Sequence, residues 1–417
     1  MPHVLLMKRT VCFVFPYREI SGVPVLFFNM ANAFATHFKD KYNVSVLDYS
    51  DGVMASYINK DVSLKVIETG KTCILDDDYI VMQGILPSAM RPEYRISNKS
   101  KILFWVLHPL NFLPIVFPFN FFRKYIENNI KDYSEIVRKF YRKDYTNLNV
   151  FIKKIDEGNA LVFNSEAYYT ETSLFLDYIV KDIKILPVAV SDPEKVNKKK
   201  ISEVLNCGWV GRLCDFKIHI LNYTLCRLAT FALEHNKKMV FHIIGTGELE
   251  HLLGSFDNAF FRQKKVGGLK KTELDQYLAE NVDLAFSMGV SAIESEKLGI
   301  PTVLLDASYE PVREGYKFKW FHHVDNFDVG HIMRDSDFEI ENNTLERIIN
   351  EFLINYDELS KLAYEYYYNN YSTIAIARKM DSMLDNIKIT WGALPESVKR
   401  RDIFRIVYNL LRYKSYK

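Results

Sequence analysis

The sequence has few cysteines and little net charge, and each shortage excludes a class of protein. The formal net charge over 417 residues is +2, and we find neither zinc-finger spacing nor an aromatic RNA-binding signature, so nucleic acid is not an expected partner. An odd number of scattered cysteines favours reduced thiols over a disulfide framework. The five are Cys12, Cys73, Cys207, Cys214 and Cys226.

The sequence also has no secretory start and no clear membrane span. Its first charges, Lys8 and Arg9, follow a very short apolar run, which is the wrong order for a signal peptide, so we expect a cytoplasmic protein. Residues 102–122 carry no formal charge over nearly the length of a membrane helix. Repeated prolines would break such a helix, and we interpret the segment as a buried strand running into an apolar loop. These prolines are Pro109, Pro114 and Pro118.

Strand-like apolar runs alternate with helical stretches along both halves of the chain. This alternation is typical of parallel sheets covered by helices, and at ~150 residues per domain the length allows two or three domains. A polar, lysine-rich stretch at 191–201 reads as a linker. We therefore predict two Rossmann-like α/β domains, 1–190 and 191–375, followed by terminal helices over 376–417.

A turn of small residues joins two apolar segments near residue 288. A strand-like run ends at Ser287, Met288 and Gly289 follow, and a helix begins near Val290. Unpaired amides at a helix start attract anions, and glycine allows close approach. Glu294 on that helix offers a carboxylate to a vicinal diol such as a ribose. Gly turns followed by an acid are also common without a ligand, so both interpretations stay open here.

Two further strand ends carry residues suited to a phosphate-rich ligand. Arg212 and Lys217 follow Gly211 and lie five residues apart, a spacing that suits a diphosphate, although a solvated charged loop is the alternative. Gly245 and Gly247 form a Gly-x-Gly turn that permits close backbone approach, and an ordinary tight turn explains it equally well. All these residues follow predicted strands of one half, where parallel α/β sheets bind nucleotides.

Taken in order, these motifs resemble the retaining nucleotide-sugar glycosyltransferases of the GT-B fold. This large family includes sucrose-phosphate synthase and many bacterial polysaccharide enzymes. The resemblance implies an α/β GT-B architecture, with two Rossmann-like domains whose parallel sheets face a central cleft and C-terminal helices that cross back to the first domain. It also implies that 1–190 holds the acceptor and 191–375 the donor. The matching segments are GRLCDFK (211–217), IIGTGE (243–248), VGGLKKTELDQYL (266–278) and FSMGVSAIESEKLGIPTVLLD (286–306).

The resemblance also implies roles for individual residues. Arg212 and Lys217 would bind the donor diphosphate, and Glu294 the ribose. His108 resembles the family histidine that contacts the donor sugar at the reacting face, and a buried histidine satisfied by backbone is its other interpretation. Donor contacts would come from the reduced glycine loop at Gly22 and from the strand-end loops at Gly211 and Gly245. The segment at Gly267, which borders the base, and the turn after Ser287 would supply the others. The donor-binding set is Gly22, Gly211, Gly245, Gly247, Gly267, Leu269, Ser287, Met288, Gly289, Val290, Ser291 and Glu294.

Two positions depart from the family pattern. The family usually has a second glutamate eight residues before the ribose glutamate, and Phe286 stands there. Phenylalanine cannot hydrogen-bond a sugar hydroxyl, which puts the identity of the donor sugar in question. Ile218 replaces the glycine that usually follows the loop lysine.

We expect neither a cofactor nor a metal, because such enzymes generally use none. The nearest candidate ligands, His322, His323 and Asp325, lie on a segment that we predict to be extended, where adjacent side chains point to opposite faces.

The expected activity is transfer of a sugar from a UDP- or GDP-linked donor to a glycan or lipid-linked acceptor, with retention, in bacterial surface polysaccharide synthesis. A catalytically silent homologue that binds nucleotide or glycan is one rival. A sugar-nucleotide epimerase or hydrolase is another, although it needs further carboxylates. The apolar loop 110–122 and the basic tail 399–417 favour weak peripheral attachment to a membrane surface. Core packing of the loop, and packing of the tail on the first domain, are the alternatives.

Overall fold

The computed structural model describes residues 7–113, 130–193, 202–339 and 344–400. The chain divides into two compact units, one formed by Met1–Ala189 with Ile376–Lys417 and the other by Val190–Ala375. Each unit has its own buried apolar core. Three segments interpreted from the sequence fall wholly or partly outside the described residues: the loop from 114 onward, the linker from 194 onward and the tail from 401 onward.

Six parallel strands form the main sheet of the first unit. The spatial order β3-β2-β1-β5-β7-β8 is that of a doubly wound α/β sheet, in which the direction of strand addition reverses between β1 and β5. Strands buried on both faces read as nearly continuous apolar runs, which is why the sequence revealed most of them. They are β1 (Arg9–Val14), β2 (Tyr42–Asp48), β3 (Val62–Val66), β5 (Tyr79–Gln83), β7 (Lys101–Val106) and β8 (Leu161–Phe163), with β4 (Cys73–Leu75) and β6 (Tyr94–Ile96) forming a separate parallel pair.

Helices cover this sheet. In the first of them, Phe27, Met30 and Phe34 recur at helical spacing and are fully buried, as the sequence predicts. The charged composition of residues 123–158 favours a solvated cover, yet the described part of this stretch also supplies core: Phe151 and Ile152 are fully buried. Its apolar stripe was masked in the sequence by the lysines on its outer face. The helices are α1 (Gly22–His37), α2 (Val53–Tyr57), α3 (Ile130–Phe140), α4 (Arg142–Glu157) and α5 (Glu166–Ser173).

The second unit repeats the doubly wound arrangement. Its strand order β11-β10-β9-β12-β13-β14 reverses between β9 and β12, and only β14 runs antiparallel to its neighbour. The strands are β9 (Leu205–Val210), β10 (Met239–Ile244), β11 (Phe261–Gly267), β12 (Leu284–Ser287), β13 (Thr302–Leu304) and β14 (Lys319–Trp320). The helices are α6 (Asp215–Glu234), α7 (Lys271–Asn281), α8 (Val290–Glu296) and α9 (Leu345–Asn370).

The chain returns to the first unit after α9. Helix α10 (Thr373–Asp385) buries Met380 and Leu384 in the first core, and its Asp385 carboxylate lies 2.6 Å from the Arg9 guanidinium. A short helix, α11 (Glu396–Lys399), follows. The predicted return of the C-terminal helices to the first domain is therefore confirmed. Within the described part of the chain, no helix is long and apolar enough to cross a membrane.

Candidate functional site

Three of the predicted loops join at the carboxyl edge of the second sheet. The loop after β9 runs beside the Gly-x-Gly turn after β10, which in turn contacts the end of β11. Because backbone hydrogen bonds link all three, they form one continuous surface. These bonds run from Gly211 N to Ile244 O (3.0 Å), from Leu213 N to Thr246 O (3.1 Å) and from Gly245 N to Gly267 O (2.8 Å).

The Gly-x-Gly turn is required by this packing. A Cβ atom on Gly245 would lie 2.1 Å from the carbonyl oxygen of Gly211, and one on Gly247 would lie 2.2 Å from that of Leu213. Gly245 also has a φ of +136°, a conformation that other residues rarely adopt. The neighbouring backbone, rather than a ligand, thus accounts for both glycines.

Arg212 and Lys217 lie on the loop after β9 and in the first turn of α6. Arg212 is exposed, whereas Lys217 is partly buried. The Lys217 ammonium lies 5.9 Å from the ring centroid of Trp209, and a Cβ atom on Gly211 would come within 3.3 Å of it. Gly211 therefore leaves room for the ammonium at the strand end.

Neither cation has an anionic partner in the part of the chain that the structure describes. Among the residues that the structure describes, no ion pair involves Arg212 or Lys217. Burial lowers the pKa of Lys217, and the nearby charge of Arg212 lowers it further, while the Cys214 thiol acts in the opposite direction. Two cations that disfavour each other's charge would be stabilised by a bound anion, and a diphosphate supplies the matching charge.

The turn after β12 is short. Only Met288 and Gly289 separate β12 from α8, and Gly289 has a φ of +64° with open space where its side chain would be. The Gly289 amide already donates a hydrogen bond to the Val329 carbonyl at 2.6 Å. Amides that can meet a ligand therefore begin at Val290 and Ser291, at the start of the helix.

Phe286 lies within β12 and belongs to the core. It is fully buried, and its ring centroid lies 6.1 Å from that of Phe241 and 6.2 Å from that of Phe318. The position eight residues before Glu294 consequently faces the hydrophobic interior. A carboxylate at that position would be buried among aromatic rings.

Glu294 forms part of a buried charge triad that the sequence reasoning missed. Its side chain is 15% exposed and its Oε2 atom contacts the Lys297 ammonium, which is completely buried. That ammonium also lies 2.7 Å from the Asp275 carboxylate on α7. The three-residue spacing of Glu294 and Lys297 was a readable signal for the helix pair. The contribution of Asp275 depends on how α7 packs against α8.

A second charged cluster follows β13, where ligand atoms of Asp306, Asp328 and His331 lie within 4.8 Å of one another. His331 Nδ1 is 2.9 Å from Asp328 and its Nε2 is 3.0 Å from Asp337, while Lys319 is 3.1 Å from Asp306. The hydrogen bond to Asp328 raises the pKa of His331 to about 9. His331 and Lys319 each lie against carboxylates, so the cluster is a network of ion pairs.

The predicted extended segment at His322 and His323 is instead a 3₁₀ turn, Phe321–His323, in which the two rings lie 4.7 Å apart. The prediction was wrong because Phe321 anchors the turn in the interior. His322 Nδ1 lies 3.2 Å from the buried Glu296 carboxyl. Burial lowers the pKa of His322 to about 3 and raises the pKa of Glu296 well above its usual value, so burial disfavours the charged form of both groups.

The first unit carries the two remaining predicted residues. Gly22 is the exposed first residue of α1, with nothing near its Cα. His108 is exposed rather than buried, and its Nδ1 accepts a hydrogen bond from the Leu110 amide at 3.1 Å. Asn111, which the sequence reasoning did not single out, accepts hydrogen bonds from the amides of Leu107 and His108, each at 3.0 Å. This cap fixes the histidine at the carboxyl end of β7 with its ring hydrogen on Nε2.

Among known proteins, the chain is similar in structure to glycosyltransferases. It matches no family model and no curated protein in sequence. It resembles a glycosyltransferase from Rickettsia africae ESF-5 with a TM-score of 0.52 and 13% identity, over 92% of this chain and 99% of the other. It also resembles the lipopolysaccharide outer core galactosyltransferase WaaB, in its apo form, with a TM-score of 0.50 and 12% identity, over 90% and 99%. Together with the two doubly wound sheets, these likenesses confirm the predicted GT-B fold.

Proposed function

We propose that the chain is a glycosyltransferase whose donor, a nucleoside-diphosphate sugar, binds at the carboxyl edge of the second sheet. The observation that carries this proposal is the pair Arg212 and Lys217, two cations without an anionic partner among the described residues. They follow β9, which neighbours β12 at the point where the strand order reverses. In open α/β sheets this is the usual place for a nucleotide. The GT-B fold, shared with two glycosyltransferases, supports the same conclusion.

The same two cations suit the chemistry of the reaction. When the bond between the anomeric carbon and the diphosphate oxygen breaks, negative charge develops on the leaving diphosphate. Arg212 can hold it with its planar fork and Lys217 as a compact charge, and both are already in place. A bound diphosphate would also stabilise the charge that burial disfavours on Lys217.

Glu294 and the loop after β11 would select the nucleoside. Glu294 would accept a hydrogen bond from the ribose, and the backbone from Gly267 to Leu269 would border the base. We expect UDP or GDP as the nucleotide. WaaB is named a galactosyltransferase, which is consistent with a hexose as the transferred group.

The first unit would receive the acceptor, which we propose to be a glycan or a lipid-linked saccharide of a bacterial surface polysaccharide. WaaB is called a lipopolysaccharide outer core galactosyltransferase, and lipopolysaccharide belongs to this class of saccharide. His108, which is exposed near a strand end, would contact the sugar at the reacting face, and the anomeric configuration would be retained. We propose a cytoplasmic protein that attaches weakly to a membrane surface.

Donor turnover tests the proposal. Purified protein is incubated with UDP- and GDP-hexoses, and released nucleoside diphosphate is measured for the wild type and for Lys217→Met. We expect release from one donor and a loss of about a hundredfold in the variant, as for removal of one charge-stabilising donor. Lys238→Met removes the same charge from an exposed residue at the amino end of β10 and should leave the rate unchanged.

Nucleotide binding without turnover of any donor would support the silent homologue. Equal rates for Lys217→Met and wild type would contradict the assigned diphosphate site.

A further inference from the structure

Among the ion-paired cations that the structure describes in the second unit, Lys297 is the most deeply buried. Its side chain has no exposed surface and lies between Asp275 on α7, at 2.7 Å, and Glu294, one helical turn earlier on α8. Lysine is almost never fully buried unless it is paired. Here one ammonium is paired with two carboxylates.

Stability alone does not explain this arrangement. The desolvation of a buried ion pair often exceeds the attraction between its charges, and apolar residues of similar volume usually serve stability as well or better. Leu298 and Ile300, which follow α8 in the chain, lie in an apolar core, so apolar packing is present close to the triad. A buried charged cluster beside a candidate ligand site can, by contrast, hold a functional side chain in one orientation.

The triad fixes the orientation of Glu294. The Oε2 atom is turned toward Lys297 and has essentially no exposed surface, although the side chain as a whole is 15% exposed. That leaves Oε1 as the oxygen that can meet a ligand. Asp275 holds Lys297 from α7, the helix that follows the loop at Gly267 and Leu269, and so relates Glu294 to that loop.

We infer that Lys297 is a positioning residue: held by Asp275, it orients Glu294 so that one carboxylate oxygen is presented to a ribose hydroxyl of the nucleotide. This inference rests on the proposed function. A carboxylate without Lys297 would be free to change rotamer, and recognition of the ribose hydroxyl would weaken while the rest of the nucleotide site stayed as it is.

The test compares two ligands within each variant. Calorimetric titration gives the dissociation constants of UDP and GDP and of their 2′,3′-dideoxy counterparts. The dissociation constant of the dideoxy nucleotide divided by that of the normal nucleotide measures recognition of the ribose hydroxyls. For wild type we expect a ratio of about ten or more for one base, as for a hydrogen bond to a charged group. Lys297→Met and Glu294→Gln should each reduce it to about two, and the double variant should reduce it no further, because both changes act through one group.

General damage to the site would weaken the binding of both ligands alike and leave the ratio of their dissociation constants unchanged. The ratio therefore distinguishes a loss of positioning from a general loss of structure. Lys65→Met is the matched control: Lys65 lies 2.7 Å from the buried Asp77 in the first unit, and its variant should keep the wild-type ratio. If Lys297→Met does not fold, Lys297→Gln is measured in its place. A folded Lys297 variant with the wild-type ratio would overturn the inference. A wild-type ratio of one, or no binding of either nucleotide, would instead reject the ribose or donor site itself.

Discussion

At the scale of single residues, the second unit holds its charges in two ways. Lys297 and His331 each lie between carboxylates. Arg212 and Lys217 have no carboxylate partner among the described residues, and burial makes the Lys217 charge less favourable. Paired charges need no ligand, whereas unpaired ones at a strand end favour an anion. This contrast is the physical basis for placing the donor diphosphate at Arg212 and Lys217.

The paired histidine predicts a pH-dependent stability. The hydrogen bond to Asp328 raises the pKa of His331 from 6.5 to about 9. A group whose pKa is higher in the folded state stabilises fully below its unfolded pKa, and this stabilisation is lost as pH rises through about 9. We expect wild type to lose about 2 kcal/mol of unfolding free energy between pH 6.5 and pH 9.5 in excess of His331→Gln, after allowance for solvent screening.

Urea unfolding at a series of pH values checks this expectation. His251→Gln, which changes an exposed histidine of the same unit, serves as the control and should follow the wild-type profile. Parallel profiles for wild type and His331→Gln would show that His331 does not titrate as stated.

Positions that depend on order along the chain could be predicted from the sequence. Arg212, Lys217 and Glu294 each follow a recognisable strand end, so spacing alone brought them to one edge of a sheet. Lys297 and Asp275 could not be paired in this way, because their contact depends on how two helices pack. Phe286 was located by counting from Glu294, and only the register of β12 shows that this position faces the core.

At the scale of elements, the candidate site depends on backbone packing between three strand-end loops. We expect Gly245→Ala to lower the unfolding free energy by about 3 kcal/mol, because its Cβ would lie 2.1 Å from the Gly211 carbonyl at a positive φ. The loop carrying Arg212 would shift with it, so nucleotide affinity should fall as well. Denaturant unfolding and calorimetric titration measure the two effects.

Gly22→Ala provides the comparison, since nothing lies within 4 Å of a Cβ at that position. Its stability should change by no more than about 1 kcal/mol. An equally small effect of Gly245→Ala would mean that the loops are not packed as described.

Most secondary structure was predictable because central parallel strands are continuous apolar runs. The exceptions lie where this signal fails. Strand β11 was missed because it is an edge strand whose exposed face carries Arg262, Lys264 and Lys265. The apolar run near Ile185 has the composition of a strand, but it forms only an isolated bridge to Phe163. The sequence of 345–370 is typical of two helices, whereas the structure has one helix with a kink at Asn355.

At the scale of the whole molecule, the fold returns helix α10 to the core of the first unit. Leu384 on α10 is fully buried in the first unit's core. We expect Leu384→Ala to lower the unfolding free energy by about 2–5 kcal/mol, as for other buried leucines. Nucleotide affinity should stay unchanged, because the residues proposed to bind the nucleotide, Arg212, Lys217 and Glu294, lie in the second unit. Calorimetry and nucleotide titration measure both quantities.

Ile354→Ala removes an apolar side chain that is 79% exposed and should leave stability within about 0.5 kcal/mol of wild type. A comparable loss for both variants would contradict the placement of α10.

The central claim is that the second unit binds a nucleoside diphosphate through Arg212 and Lys217, and a thermal-shift panel tests it most directly. UDP, GDP, ADP and CMP are added in excess to wild type, to Arg212→Gln/Lys217→Met and to Lys238→Met. At a hundred times its dissociation constant a ligand stabilises the native state by about 2.7 kcal/mol. We predict that one nucleoside diphosphate raises the melting temperature of wild type and Lys238→Met but not of the double variant. No shift with any nucleotide, or an equal shift in the double variant, would contradict the account.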